Sequence, residues 1–236
     1  MPPASRTPSQ HLIFDADDTL WENNVYFERA IEEFLDFLDH SSLTRREARV
    51  VLDEIERANA GIHGYGSRAF ARNLRMCYER LAERRLDEND LRAVMAFGER
   101  ILAQAIEPIA GVPETLAVLA ERHDLTLLTK GHAEEQRRKI DDSGLAGYFR
   151  HAEIVAEKDV AAYRALVTDL RLDSGRAWMI GNSPKSDINP ALAAGLHAVF
   201  IPHAATWRLE HAEIVGAETP GRLLTLERFS ALLEHF

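Results

Sequence analysis

Four short apolar runs recur in the second half of the chain, at residues 125–129, 152–155, 177–181 and 197–201, with helix-period segments between them. One such segment places Val160, Tyr163, Leu166, Val167 and Leu170 on a single face. Strand-helix alternation of this kind predicts a parallel sheet with helices packed on both faces. A fifth apolar run, residues 11–14, stands alone near the start and ends in acidic residues. A lone strand is not stable in water, so this one must join the same sheet.

Between that first strand and the later ones the pattern is helical only. Phe27, Ile31, Phe34, Leu35 and Leu38 share one face of a first helix. A second opens on Thr44-Arg45-Arg46-Glu47, the pattern of a capping box, and carries Ala48, Val51, Leu52 and Ile55. A third carries Phe70, Leu74, Cys77, Tyr78 and Leu81, and a fourth Leu91, Val94, Met95, Ile101 and Leu102. The predicted fold class is α/β: a doubly wound, Rossmann-like parallel sheet with an all-helical domain inserted after its first strand. The expected boundaries are a flexible tail at 1–10, a core at 11–21 and 108–236, and a helical domain at 22–107.

Hydrophobic residues make up 46% of the 236 and charged residues 28%, an ordinary globular balance. The net charge of -10 argues against a broad nucleic-acid-binding face, which needs clustered Lys and Arg. It leaves room for a small anionic ligand, which needs only a few local cations. A single cysteine, Cys77, excludes an internal disulfide and fits a reducing compartment. No apolar run approaches a membrane span, and the first ten residues have no secretory h-region. The expected location is cytoplasmic.

Ligands of open parallel sheets bind beyond the carboxyl ends of the strands. The first strand ends in Asp15-Ala16-Asp17-Asp18-Thr19. Carboxylates crowded this way repel one another unless a cation lies among them, and an all-oxygen set suits Mg2+. One carboxylate can attack phosphorus while the other serves as acid and then base. A turn or helix cap is the plainer reading of the same residues. The second strand ends in Thr129-Lys130-Gly131, a hydroxyl and a flexible turn suited to a phosphoryl oxygen, or simply a strand-to-helix turn. Glu157-Lys158-Asp159 follows the third; its Lys158 either pairs with phosphate and nucleophile or is a solvated surface group. Gly181-Asn182-Ser183-Pro184-Lys185-Ser186-Asp187 follows the fourth, where Ser183 or Asp187 could cap a helix or Asp187 could complete a metal site.

The four strand ends together resemble the haloacid dehalogenase superfamily, whose members are mostly phosphatases. Asp15-Ala16-Asp17-Asp18-Thr19-Leu20 is similar to its first motif, Asp-x-Asp-x-Thr; Thr129, Lys158 and Asp187 resemble the second, third and fourth. The helical insert lies where the superfamily carries a type 1 cap. The resemblance implies Mg2+-dependent hydrolysis of small phosphate monoesters through an aspartyl-phosphate. Asp15 is then the nucleophile and Asp17 the acid-base. Thr129, Lys130 and Lys158 hold the phosphoryl group. Asp15, Asp187 and the main-chain carbonyl of Asp17 hold the metal. Many relatives have Gly-Asp where this chain has Gly181-Asn182; Asn182 can hydrogen-bond a metal-bound water but adds no charge. Asp159 likewise stands where Pro often follows the third-motif lysine, and Asp18 reads as a local cap or flap residue.

A 2-haloacid dehalogenase uses the same nucleophile on carbon, but that branch lacks the acid two residues on, which Asp17 supplies here. A phosphomutase would use the same site and retain the aspartyl-phosphate, and a non-turnover relative would only bind a phospho-ligand. A receiver domain has its phosphorylated aspartate at a later strand and no insert. The expected partner is a small phosphorylated metabolite, with neither nucleic acid nor membrane, for a monomer or homodimer. Trp21, Tyr65 and Arg68 are candidate specificity residues, Trp21 because it follows the first motif and the other two because their loop joins two cap helices. Ordinary core packing is the alternative for Trp21 and for Tyr26. His203, after the strand at 197–201, reads as a solvated loop histidine with reach toward the site, and Cys77 as core.

Overall fold

The computed structural model describes residues 9–215 and 221–236. Residues 1–8 of the expected tail lie outside it. The sheet has six strands: β1 (His11–Phe14), β2 (Asp124–Lys130), β3 (His151–Val155), β4 (Ala177–Gly181), β5 (His197–Phe200) and β6 (Leu223–Thr225). All are parallel, in the order β3-β2-β1-β4-β5-β6. The α/β doubly wound class read from the sequence is the fold observed. The edge strand β6 was not expected; three residues give no periodicity to read.

β1 is central because it can be. Leu12, Ile13 and Phe14 are fully buried, and Leu12 pairs with both Leu125 and Trp178. Alternation along the strand sends Leu12 and Phe14 into one apolar cluster and Ile13 into another on the opposite face. The first cluster takes Val112, Leu116 and Leu119 of α5 (Val112–Ala120) and Phe229 and Leu232 of the C-terminal turn. The second takes Tyr163 and Leu166 of α7 (Val160–Asp169) and Ala191 of α8 (Asn189–Ala193). The strand order reverses between β1 and β4, so their carboxyl ends flank the crevice where a doubly wound sheet binds ligands.

The chain divides into two compact units. One comprises the segment ending at Glu22 together with Ile106–Lys130 and Gln136–Phe236; the other comprises Asn23–Ala105 and Gly131–Glu135. The second unit holds α1 (Asn24–Leu38), α2 (Arg45–His63), α3 (Ser67–Leu81) and α4 (Glu88–Glu99). Thr44 and Glu47 form the capping box at α2, each side chain bonded to the other's backbone N–H. Phe34, Leu52, Leu74, Cys77 and Val94 fill this unit's own core. α3 and α4 approach closely because position 98 is glycine; a Cβ there would lie 2.8 Å from the Cα of Ala71. Burial pushes the Cys77 thiol up to about 12, so it is core and not a nucleophile. No helix among the described residues is long and apolar enough to cross a membrane.

Candidate active site

Asp15 continues directly from β1, its N–H donating to the Ile180 carbonyl at 2.9 Å. The turn after it is tight: Thr19 and Leu20 both donate to the Ala16 carbonyl, and Asp18 adopts a left-handed φ of 61°. This turn carries the Thr19 hydroxyl back to Asp15 Oδ2 at 3.0 Å. Lys158 reaches the other oxygen, Oδ1, and also donates to Asp187 Oδ1 at 2.8 Å. Asp15, Lys158 and Asp187 are 7%, 3% and 0% exposed, so two buried carboxylates share one buried ammonium. Burial, and then repulsion from Asp187, push the Asp15 carboxyl up to about 7 against the pull of Lys158. Burial raises Asp187 as well, again against Lys158.

Asp187 stands on a π-helical turn, Pro184–Ile188, that begins right after β4. Its Oδ2 accepts from the Ser183 N–H at 2.9 Å. Gly181 makes the approach possible: a Cβ there would lie 2.2 Å from Asp187 Oδ2. Asn182 is buried, and its amide donates to Thr206 Oγ1 at 2.8 Å. Its carbonyl oxygen lies 3.2 Å from the Thr19 hydroxyl. That hydroxyl has one hydrogen, so it serves Asp15 or Asn182 but not both. Thr129 is the penultimate residue of β2, 1% exposed, one residue before Lys130. Asp159 caps α7, accepting from the Ala162 N–H at 2.8 Å.

Asp17 has different neighbours. Lys139 Nζ lies 3.0 and 2.9 Å from its two oxygens, Gln136 Nε2 donates to Oδ2 at 2.9 Å, and Trp21 Nε1 donates to Oδ1 at 2.8 Å. Burial opposes the charge, yet Lys139 and these hydrogen bonds outweigh it and lower the carboxyl below its usual value. Trp21 is fully buried and meets the site through this bond. Tyr65 precedes α3 and Arg68 lies in its first turn, both within the helical unit.

Three features add to the sequence reading. Lys130, expected at the phosphate, directs its ammonium to Glu210 Oε1 at 2.6 Å and Ser186 Oγ at 2.9 Å. Glu210 in turn accepts from Ser183 Oγ at 2.5 Å. His203 is part-buried, with Nδ1 3.8 Å from Asp18 and Nε2 3.3 Å from Glu22. Gln136, Lys139 and Glu210 were not singled out. The one signal for the first two was their spacing of three on the helix that follows Thr129, α6 (Ala133–Asp142). Glu210 lies in a short turn, Arg208–Glu210, with no periodicity to mark it.

Asp15, Asp187 and the Asp17 carbonyl offer only oxygen donors, and the first two carry more negative charge than Lys158 offsets. That donor set fits a hard divalent cation such as Mg2+.

A doubly wound core with paired aspartates after its central strand, a threonine near the end of the second, and a lysine and an aspartate after later strands defines a hydrolase core of the haloacid dehalogenase type. Residues 10–195 match the family model described as haloacid dehalogenase-like hydrolase, and the chain belongs to that family. It is 29% identical to a haloacid dehalogenase-like family hydrolase from Xanthomonas campestris, with a TM-score of 0.82, covering 97% of this chain and 94% of that one. A 2-haloacid dehalogenase from Pseudomonas syringae shares the fold at 20% identity and a TM-score of 0.61, covering 96% of this chain and 97% of that one. A phosphoserine phosphatase from Thermus thermophilus is 27% identical over 135 residues, 44% of this chain and about half (54%) of the relative's length.

Proposed function

We propose that this hydrolase cleaves small phosphate monoesters with Mg2+ through an aspartyl-phosphate on Asp15. The observation that carries the reading is the pair of aspartates at the end of β1, one beside Lys158 and Asp187, the other two residues on with donors on both of its oxygens. An Asp15 oxygen bonds to phosphorus as the ester P–O bond breaks, and the leaving oxygen takes a proton from Asp17. Water then bonds to phosphorus and gives a proton to Asp17 as the Asp15–phosphorus bond breaks, releasing inorganic phosphate. Thr129 and Lys158 hold the phosphoryl oxygens. Asp15, Asp187 and the Asp17 carbonyl would hold Mg2+, with Asn182 toward a metal-bound water; when bound, the ion neutralises charge gathering on the phosphoryl oxygens. Lys130 is the third phosphate-side residue of this reading, held beside Ser186 and Glu210.

The substrate is a small phosphorylated metabolite, and Tyr65 and Arg68 contribute to its selection. A cytoplasmic location fits a chain whose one cysteine is a buried thiol. The partial relative is a phosphatase, which supports phosphorus over carbon as the atom attacked. The test is phosphate release from a panel of phosphomonoesters. Mg2+ should be required, EDTA should stop turnover, and Asp15→Asn should lower it by ~10³ or more. Tyr65→Ala with Arg68→Ala should reorder the panel. Turnover that survives Asp15→Asn would end the reading.

A further inference from the structure

Asp17 is held from several sides. An ionised carboxylate offers about four acceptor positions, and it can only accept. Lys139 addresses both oxygens, Trp21 adds a donor to Oδ1 and Gln136 adds one to Oδ2. All three partners are donors, so the arrangement matches Asp17 as an acceptor. Gln136 and Lys139 come from one face of α6, three residues apart, and are 5% and 6% exposed. They are therefore fixed in place and not solvated side chains that happen to touch.

Gln136 supplies a second observation. Its Nε2 also reaches the Lys130 carbonyl at 3.2 Å, so both amide hydrogens have acceptors. Turning the amide over would set its oxygen against the Asp17 carboxylate and that carbonyl, so the orientation is secure. Its Oε1 is buried and has no hydrogen-bond partner. An unmatched buried acceptor is costly, and this one is tolerated in the orientation that turns both amide hydrogens to acceptors. Here it belongs to the same amide that holds Asp17.

We propose that Lys139 and Gln136 are positioning residues for the water step: they fix the Asp17 carboxylate in the orientation from which it takes a proton from the attacking water. The proposal rests on the aspartyl-phosphate reading above. In that step the water oxygen bonds to phosphorus, one proton passes to Asp17, the other hydrogen stays on oxygen, and the bond to Asp15 breaks. With an ester whose leaving group departs without a proton, formation of the intermediate does not use Asp17, so the two residues matter less there.

The experiment follows formation and decay of a radiolabelled phosphoenzyme in the full chain with Mg2+, after mixing with a labelled nitroaryl phosphate, whose leaving group departs without a proton. Lys139→Met should slow decay on the order of 100-fold while formation changes by severalfold at most. Gln136→Met should act in the same direction and less. Lys139→Arg, which keeps a donor cation, should recover most of the decay rate and carries the test if the methionine variant does not fold. In an Asp17→Asn background, Lys139→Met should slow decay no further, because its effect runs through Asp17. Unchanged decay in both methionine variants, equal losses in formation and decay, or additive losses in the double variant would overturn the proposal. Absence of label on Asp15 in the wild type and in Asp17→Asn would sink the aspartyl-phosphate reading itself, and this inference with it.

Discussion

Asp15 and Asp17 are two residues apart on one loop, and their surroundings give them opposite tendencies. Asp15 is buried beside Asp187 with a single ammonium between the two carboxylates, and its proton affinity rises. Asp17 is only part-buried, and Lys139, Gln136 and Trp21 all donate to it, so its proton affinity falls. Neither aspartate sets its own chemistry; the side chains of the turn after β4, of α6, of the loop after β1 and of the loop before α7 do. Environments that separate two carboxyl groups in this way are how one fold assigns distinct roles to like residues. The Asp15 side is short of positive charge, which suits the nucleophile and metal ligand that the proposed function makes of Asp15. The Asp17 side is well supplied, which suits a group that must hold one orientation.

Removing Lys158 should break that contrast most severely. Lys158→Met leaves Asp15 and Asp187 facing each other in a buried site with no protein cation. Loss of one partner from such a pair costs about 3–5 kcal/mol, so the variant should unfold at markedly lower denaturant. Added Mg2+ should recover part of that stability, since the ion would take over the charge of both aspartates. Turnover should fall on the order of 10²-fold or more even with Mg2+ saturating, because the proposed function gives Lys158 a phosphoryl contact that the variant loses. Denaturant melts of wild type and variant, with and without Mg2+, read the first part. A variant as stable as wild type in EDTA would show that Lys158 does not balance these carboxylates.

Asn182 offers a gentler way to sharpen the comparison. Asn182→Asp adds a carboxylate next to Thr19 and removes the donor to Thr206. The Asp15 side becomes still more negative. Mg2+ affinity should rise on the order of tenfold, read as the half-saturating Mg2+ for phosphate release. Stability in EDTA should drop, since nothing then offsets the added charge. Unchanged Mg2+ dependence would mean that Asn182 does not face the metal shell.

The two sides of the site were unequally legible in the sequence. Asp15, Thr129, Lys158 and Asp187 could be found because each follows a short apolar run, and a parallel sheet gathers the ends of such runs into one crevice. Strand ends announce themselves. Gln136 and Lys139 do not, because α6 reads as an ordinary polar helix and only its placement after β2 turns one face toward Asp17. Trp21 invited a specificity role from its position after the first motif; its burial and its bond to Asp17 are properties of packing that spacing does not carry. Asp18, Glu22 and His203 are another such case: their ligand atoms fall within 4.8 Å of one another although the histidine is about 180 residues away in sequence. β6 and Glu210 lie beyond β5 in irregular or very short segments, where neither period 2 nor period 3.6 has room to appear.

The Lys130–Glu210 pair tests the same idea at the smallest scale, since it balances one charge with one. Burial would raise the Glu210 carboxyl, but Lys130 and the hydroxyls of Ser183 and Ser186 outweigh it and leave the group below its ordinary 4.5. A carboxyl lowered in the folded state stabilises the fold above its unfolded value and ceases to do so as pH falls through its folded one. Glu210→Gln should therefore cost about 2 kcal/mol at neutral pH, where the charged hydrogen bonds to Lys130 and Ser183 are intact. The difference from wild type should shrink steadily below 4.5 as the native carboxyl gains its proton. Glu157, 3.7 Å from Lys130, is placed to take up part of the lost charge and keeps the effect smaller than that of Lys158→Met. Denaturant melts of both proteins at neutral pH and at about pH 3 measure it. A gap that stays constant across that range would assign the stabilisation to the packing of Glu210 and not to its charge.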